Sequence, residues 1–179
     1  MQGVTEICSE CQFDPTSIVD SELADRFATF AKRYPIPLTR LLPSDTEELL
    51  RRRPNDTTWS ASEYVGHVTA VFNTTTEWVR RTVAEELPVL ATTDVNAEVL
   101  TSGYNKAAVA DLAANVTAAA IQLSDELRTL GEGSLDRKAS FENRELPLRL
   151  LVTAIVHEGH HHLLDVGRVL RTLRQASGE

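Results

Sequence analysis

The chain has 179 residues, 42% of them hydrophobic, enough for one domain with a core of its own. Its formal net charge of −8 at pH 7 excludes the strongly basic character typical of nucleic-acid binders. No apolar run reaches the roughly 18 residues of a membrane span, and no basic-then-apolar leader is visible at the N-terminus, so a soluble, cytoplasmic protein without membrane or nucleic-acid partners is expected.

In chain order, residues 1–17 read as an N-terminal extension carrying Cys8-Ser9-Glu10-Cys11. Two cysteines are too few for a disulfide-stapled fold. The pair could be half of a zinc site, a redox pair, a flap over the mouth of the domain or a plain structural element. A first helix is predicted from about Ile18–Ser21 toward Leu42, with Leu23, Phe27, Phe30 and Ala31 at helical spacing. Pro35 and Pro37 must kink or break it, because proline removes a helix hydrogen bond and clashes with the preceding turn. A short helix is expected over 44–52.

Ser60-Ala61-Ser62-Glu63 is a capping box that starts a second long helix, running to about Glu86 and carrying Tyr64, His67, Val71, Trp78 and Val79. Residues 87–102 read as a long crossover. A third helix is predicted over 105–130, stopped by Gly131-Glu132-Gly133. Residues 134–146 read as polar and irregular. A fourth helix runs from about Pro147 to Arg174, with 175–179 as a tail. No convincing strand is found. The expected fold is all-α, a four-helix bundle over residues 18–174 with a long connection between helices two and three.

Four of the five histidines fall in His157-Glu158-Gly159-His160-His161-His162. At about 100° per residue, His157 and His161 lie about 40° apart on one helix face, with Leu150, Thr153, Ala154, Leu164 and Arg168 nearby. That face is taken as the inward one, so His162, about 140° away, is expected to point outward. Two imidazoles four residues apart can hold one divalent ion, and His67 is the histidine left to supply a third ligand. Three histidines would leave a coordination position for water or substrate, the pattern of a catalytic metal site. The metal is expected to be zinc, with nickel or iron also suited to imidazole.

Glu158 is a candidate general base or a solvated glutamate. Arg168 is a candidate for binding a substrate carboxylate or a member of a structural ion pair. Asp165 could orient His161 or pair with Arg168. His160 could lie behind the site. Tyr64 and Trp78 share the face of His67 and are read as core. The His-Glu-x-x-His order also matches a zinc protease, but no third downstream ligand of that class follows.

Trp59-Ser60-Ala61-Ser62-Glu63-Tyr64-Val65-Gly66-His67 and the run from His157 to His162 resemble, in order and separation, the two motifs of the DinB/YfiT-like superfamily. Cys8–Asp14 and Asp165–Arg168 resemble an actinobacterial branch of it. The resemblance implies a metal-binding four-helix bundle with His67, His157 and His161 as ligands, and many members pair as homodimers. It also suggests a thiol S-transferase, or a related thiol-dependent isomerase, using a small thiol such as mycothiol or bacillithiol and a small electrophilic substrate. A non-catalytic metal-binding or stress-related protein of the same fold is the alternative.

Overall fold

In the structure, a computed structural model that describes residues 6–91 and 94–177, four long helices carry the fold. They are α1 (Leu23–Arg33), α4 (Ala61–Ala84), α6 (Val109–Arg128) and α7 (Leu148–Ser177). Shorter helices are α2 (Ile36–Thr39), α3 (Glu47–Arg51) and α5 (Val95–Ser102). α1 and α4 each pack on both α6 and α7, so the four form a ring in which α1 and α4 lie diagonally. The expected all-α bundle is therefore present. Among the described residues no helix is long and apolar enough to cross a membrane.

α4 starts where the sequence predicts. The Ser60 hydroxyl accepts from the Glu63 backbone N–H, and the Glu63 carboxylate accepts from the Ser60 N–H. Arg53 closes on the same carboxylate with two bonds of 2.7 Å. The core is aromatic where α1 meets α4. Phe27 and Phe30 face Phe72 at ring distances of 5.4 and 5.8 Å, and Tyr34 is fully buried beside them. Tyr34 donates its hydroxyl to the Gly159 carbonyl of α7. A Cβ at Gly159 would stand 2.7 Å from the Phe30 ring, so only glycine lets α7 come this close to α1.

Several boundaries differ from expectation. The first helix is broken into short 3-10 turns, α1 and α2, with Pro35 capping α2 and Pro37 in its first turn. The third helix starts at Val109; Tyr104–Lys106 form a separate 3-10 turn behind Gly103, whose φ is +68°. The fourth continues through residues 175–177; Gly178 and Glu179 of the expected tail, like residues 1–5 of the extension, lie outside the described residues.

The expectation of no strand is corrected. β1 (Val89–Leu90), β2 (Lys138–Phe141) and β3 (Arg144–Pro147) form a three-stranded sheet in that order. β1 and β2 are parallel, and β2 and β3 are a hairpin. Glu142 and Asn143 take φ of +50° and +60°, the handedness that a two-residue hairpin turn requires. The expected crossover of 87–102 thus holds β1 and α5; residues 92–93 of it lie outside the described residues. Phe141 packs edge-on against Trp78 of α4 at 5.1 Å. The sheet and α5 therefore wall off one flank of α4.

Candidate metal centre

The capping box fixes where α4 begins, and so aims His67, about two turns further on, into the bundle: it is 1% exposed. On α7 the buried stripe runs through Leu148, Leu151, Val152, Ile155, Gly159, Val166 and Leu170. These residues centre about 180° around the helix from His157. The face taken as inward from the sequence is therefore the outer one. Leu150, Ala154 and Leu164 made it look apolar, and the cover it needs comes from the N-terminal segment.

This rotation decides which side chains meet. The structure does not bring His67 together with His157 and His161. It brings His67 to Glu158 and His162, the pair one residue further along and about 100° further round. The ligand atoms of His67, Glu158 and His162 lie within 4.8 Å of one another. Glu158 Oε1 is 3.4 Å from His67 Nε2 and accepts from His162 Nε2 at 3.0 Å. The expectation that His162 points outward is corrected.

Each ring has a carboxylate on its far side. His162 Nδ1 donates to Asp165 Oδ2 at 3.1 Å. His67 Nδ1 is buried without a hydrogen bond, and Glu98 Oε2 of α5 lies 3.6 Å away. Tyr104 donates to the other oxygen of Glu98. Trp59 packs on His67 at 5.2 Å and on His162 at 6.1 Å, and Tyr64 on His162 at 5.1 Å.

The electrostatics follow from this packing. Burial raises the Glu158 pKa, but the bonds from His162 and His67 outweigh it and hold the carboxyl well below its usual range. Burial lowers the His162 pKa, but Asp165 and Glu158 outweigh it and lift the ring to about 9.

A cavity of about 440 Å³ opens beside these groups. His67 and Glu158 line it, with Val71, Trp78, Phe141 and Ile155 as apolar walls and Glu98 and Glu142 as further carboxylates. Among the described residues that line it there is no lysine or arginine. Arg168 is not there either. It donates to Asp165 Oδ1 at 2.8 Å and to the Glu10 carbonyl at 2.6 Å, so its placement is that of a structural cation.

His157 and His161 face the N-terminal segment, where their ligand atoms and those of Cys8 and Cys11 lie within 4.8 Å of one another. Both cysteines are free thiols. The backbone N–H of Cys11 is the chief cause that pulls the Cys8 thiol down to about 6, whereas burial pushes that of Cys11 up. His160 donates to the Cys11 carbonyl at 3.3 Å. Sequence reasoning passed over His162 and Glu98 as site residues, and it left the cysteine pair without a partner. The signal for His162 was present, since Glu158 and His162 are themselves four residues apart.

The structure is thus a four-helix bundle in which two histidines and a glutamate, beside a cavity, could hold a metal ion. The model of the DinB superfamily matches residues 37–164, and the chain belongs to that family. Among solved structures, YfiT from Bacillus subtilis superposes with a TM-score of 0.74 at 18% identity, covering 94% of this chain and 96% of that one. YfiT is described as a probable metal-dependent hydrolase with an unusual four-helix bundle topology. No curated protein matches the chain.

Proposed function

We propose that the protein is a metal-dependent enzyme in which a small thiol attacks a small, uncharged, largely apolar electrophile. The observation that carries this reading is the cluster of His67, Glu158 and His162, two of which, His67 and Glu158, line a cavity with largely apolar walls and further carboxylates.

The three residues fit a divalent ion. Two imidazoles and one carboxylate form a familiar zinc ligand set that leaves room for a further ligand. His67 Nδ1, buried with Glu98 nearby, has the outer carboxylate that ligating histidines use to fix ring orientation, and Asp165 serves His162 in the same way. When bound, such an ion lets a thiol lose its proton at neutral pH. Trp78, Val71, Ile155 and Phe141 hold the electrophile and exclude water. Apart from the ion and its ligand Glu158, the described lining residues bring the carboxylates of Glu98 and Glu142 and no lysine or arginine, which disfavours further carboxylates on either partner. A neutral thiol such as mycothiol therefore suits the cavity better than one bearing carboxylates.

A second reading, in which water replaces the thiol, is favoured by the ligand set, because two histidines and a glutamate also hold the zinc of several hydrolases. The zinc-protease order is not assembled, since Glu158 lies with His67 and His162 while His157 and His161 face the cysteines.

The test is elemental analysis of His67→Ala and His162→Ala beside wild type, followed by thiol-transfer and ester-hydrolysis assays. One equivalent of metal lost in each variant, with thiol-adduct formation lost alongside it, is the expected result. Full metal content in both variants sinks the reading. Hydrolysis without thiol transfer shifts it to the second.

A further inference from the structure

We propose that Cys8, Cys11, His157 and His161 form a second, closed zinc site that clamps the N-terminal segment onto α7. It is independent of the catalytic reading: none of its four residues lies in the cluster of His67, Glu158 and His162.

The donors come as two spaced pairs, Cys-x-x-Cys on a loop and His-x-x-x-His on a helix. Cys8 Sγ is 3.7 Å from His161 Nδ1, and all four donor atoms fall within 4.8 Å of one another. A tetrahedral zinc with bonds of about 2.3 Å to sulfur and about 2.0 Å to nitrogen spaces its ligands about 3.3–3.8 Å apart. Small side-chain movements therefore close the set on one ion.

The loop is already shaped for this. Gln12 N–H donates to the Cys8 carbonyl at 2.8 Å and Cys8 N–H to the Phe13 carbonyl at 2.9 Å, with Gln12 at φ +58°. This fold turns both thiols to the same side. Phe13 stacks on His157 at 5.1 Å and 8°, fixing the ring. His157 Nε2 is sealed from solvent and has no hydrogen-bond partner, so no hydrogen bond on that side competes with coordination by the ring. Cys11 is 7% exposed, and His161 has carboxylates of Glu10 and Asp165 at 3.4 and 3.5 Å from its other nitrogen.

Two thiolates neutralise a divalent zinc, and the two thiol protons leave to solvent on binding. Four protein ligands leave no position for substrate, so the site is structural. Its place on the helix gives it a task. His157 and His161 immediately precede Glu158 and His162, and Asp165 Oδ2 lies against both His161 and His162. Clamping the first pair fixes the rotation of α7 that aims the second pair at His67.

The experiment is zinc content and sulfur-sensitive X-ray absorption of the full-length wild-type protein, purified with reductant. Cobalt-substituted wild type is then compared with Cys8→Ser/Cys11→Ser and with His67→Ala/His162→Ala. Expected are two equivalents of zinc, scattering from sulfur at about 2.3 Å, and a thiolate-to-cobalt charge-transfer band. The band and one equivalent vanish in the cysteine variant, whereas the band persists in the His67/His162 variant. Wild-type zinc with only nitrogen and oxygen neighbours, or a Cys8–Cys11 disulfide in that protein, overturns the proposal. That measurement needs no variant to fold. Loss of the sulfur signal alone leaves the catalytic reading standing, and unchanged metal in His67→Ala/His162→Ala leaves the clamp standing.

Discussion

Gly66 precedes His67 on α4, and an alanine there tests how the first cluster is held. A Cβ at this position would lie 2.3 Å from both Cγ and Cδ1 of the Tyr104 ring. Carbon atoms in contact sit about 3.5–4.0 Å apart, so the ring must retreat by more than about 1 Å. Tyr104 holds Glu98, and Glu98 is the carboxylate facing His67 Nδ1. Two effects on stability oppose each other. Alanine in place of glycine favours a helix by about 1 kcal/mol. Forcing a methyl group into packed surroundings costs about 1–3 kcal/mol. The second wins, leaving a net loss of about 1 kcal/mol and a fall in Tm of about 3 °C for a chain of this size. Loss of a carboxylate behind a ligand also weakens metal affinity by about 10–100-fold. The assay is thermal unfolding and zinc titration of Gly66→Ala in the wild-type and Tyr104→Ala backgrounds. Once the ring is gone, the helix term stands alone and Gly66→Ala becomes stabilising. A rise in Tm in both backgrounds refutes the reasoning.

The ion pair at the start of α4 sets an acid limit. Burial opposes ionisation of Glu63, but Arg53 and the Ser60 N–H outweigh it and its pKa lies below the ordinary value. Its contribution is thus complete above about pH 4.3 and is lost as pH falls through the depressed folded value. Glu63→Gln keeps an acceptor for Ser60 but not the charge. With Arg53 a quarter exposed, it costs about 2 kcal/mol at neutral pH and flattens the acid limb of urea midpoints against pH; an unchanged acid limb assigns that limb to other carboxylates. Tyr34→Phe removes the hydroxyl bond to Gly159 without changing the ring, and calorimetry should show a loss of about 1 kcal/mol, with none if the contact is incidental.

Much of the bundle was legible because its signals are local. The capping box states where α4 begins whatever it packs against, and Pro35 and Pro37 state that the first helix cannot continue. The strands were not legible for the opposite reason. β1 has two residues and exists only through its pairing with β2, about fifty positions later. The β2–β3 hairpin is tied by Glu142-Asn143, which lacks the glycine that advertises such turns. α5 was hidden inside the crossover, and with it Glu98.

The site shows where helical periodicity stops being informative. His157, His161 and His67 stand out as a set because the first two share a face with apolar neighbours and His67 is the one histidine elsewhere in the chain. But the run holds two pairs four residues apart, His157/His161 and Glu158/His162, offset by about 100°. Both flanks carry leucine and alanine, so apolar neighbours cannot say which pair faces the bundle. The tie is broken by contacts far away in sequence: Gly159 against Phe30, the Tyr34 hydroxyl on the Gly159 carbonyl, and the Cys8–Phe13 loop over His157. Those contacts turn α7 so that the second pair meets His67. They also explain why the N-terminal segment could not be placed from its own residues. Its partners lie about 150 positions away, on the side of α7 that the sequence pattern had assigned to the bundle interior.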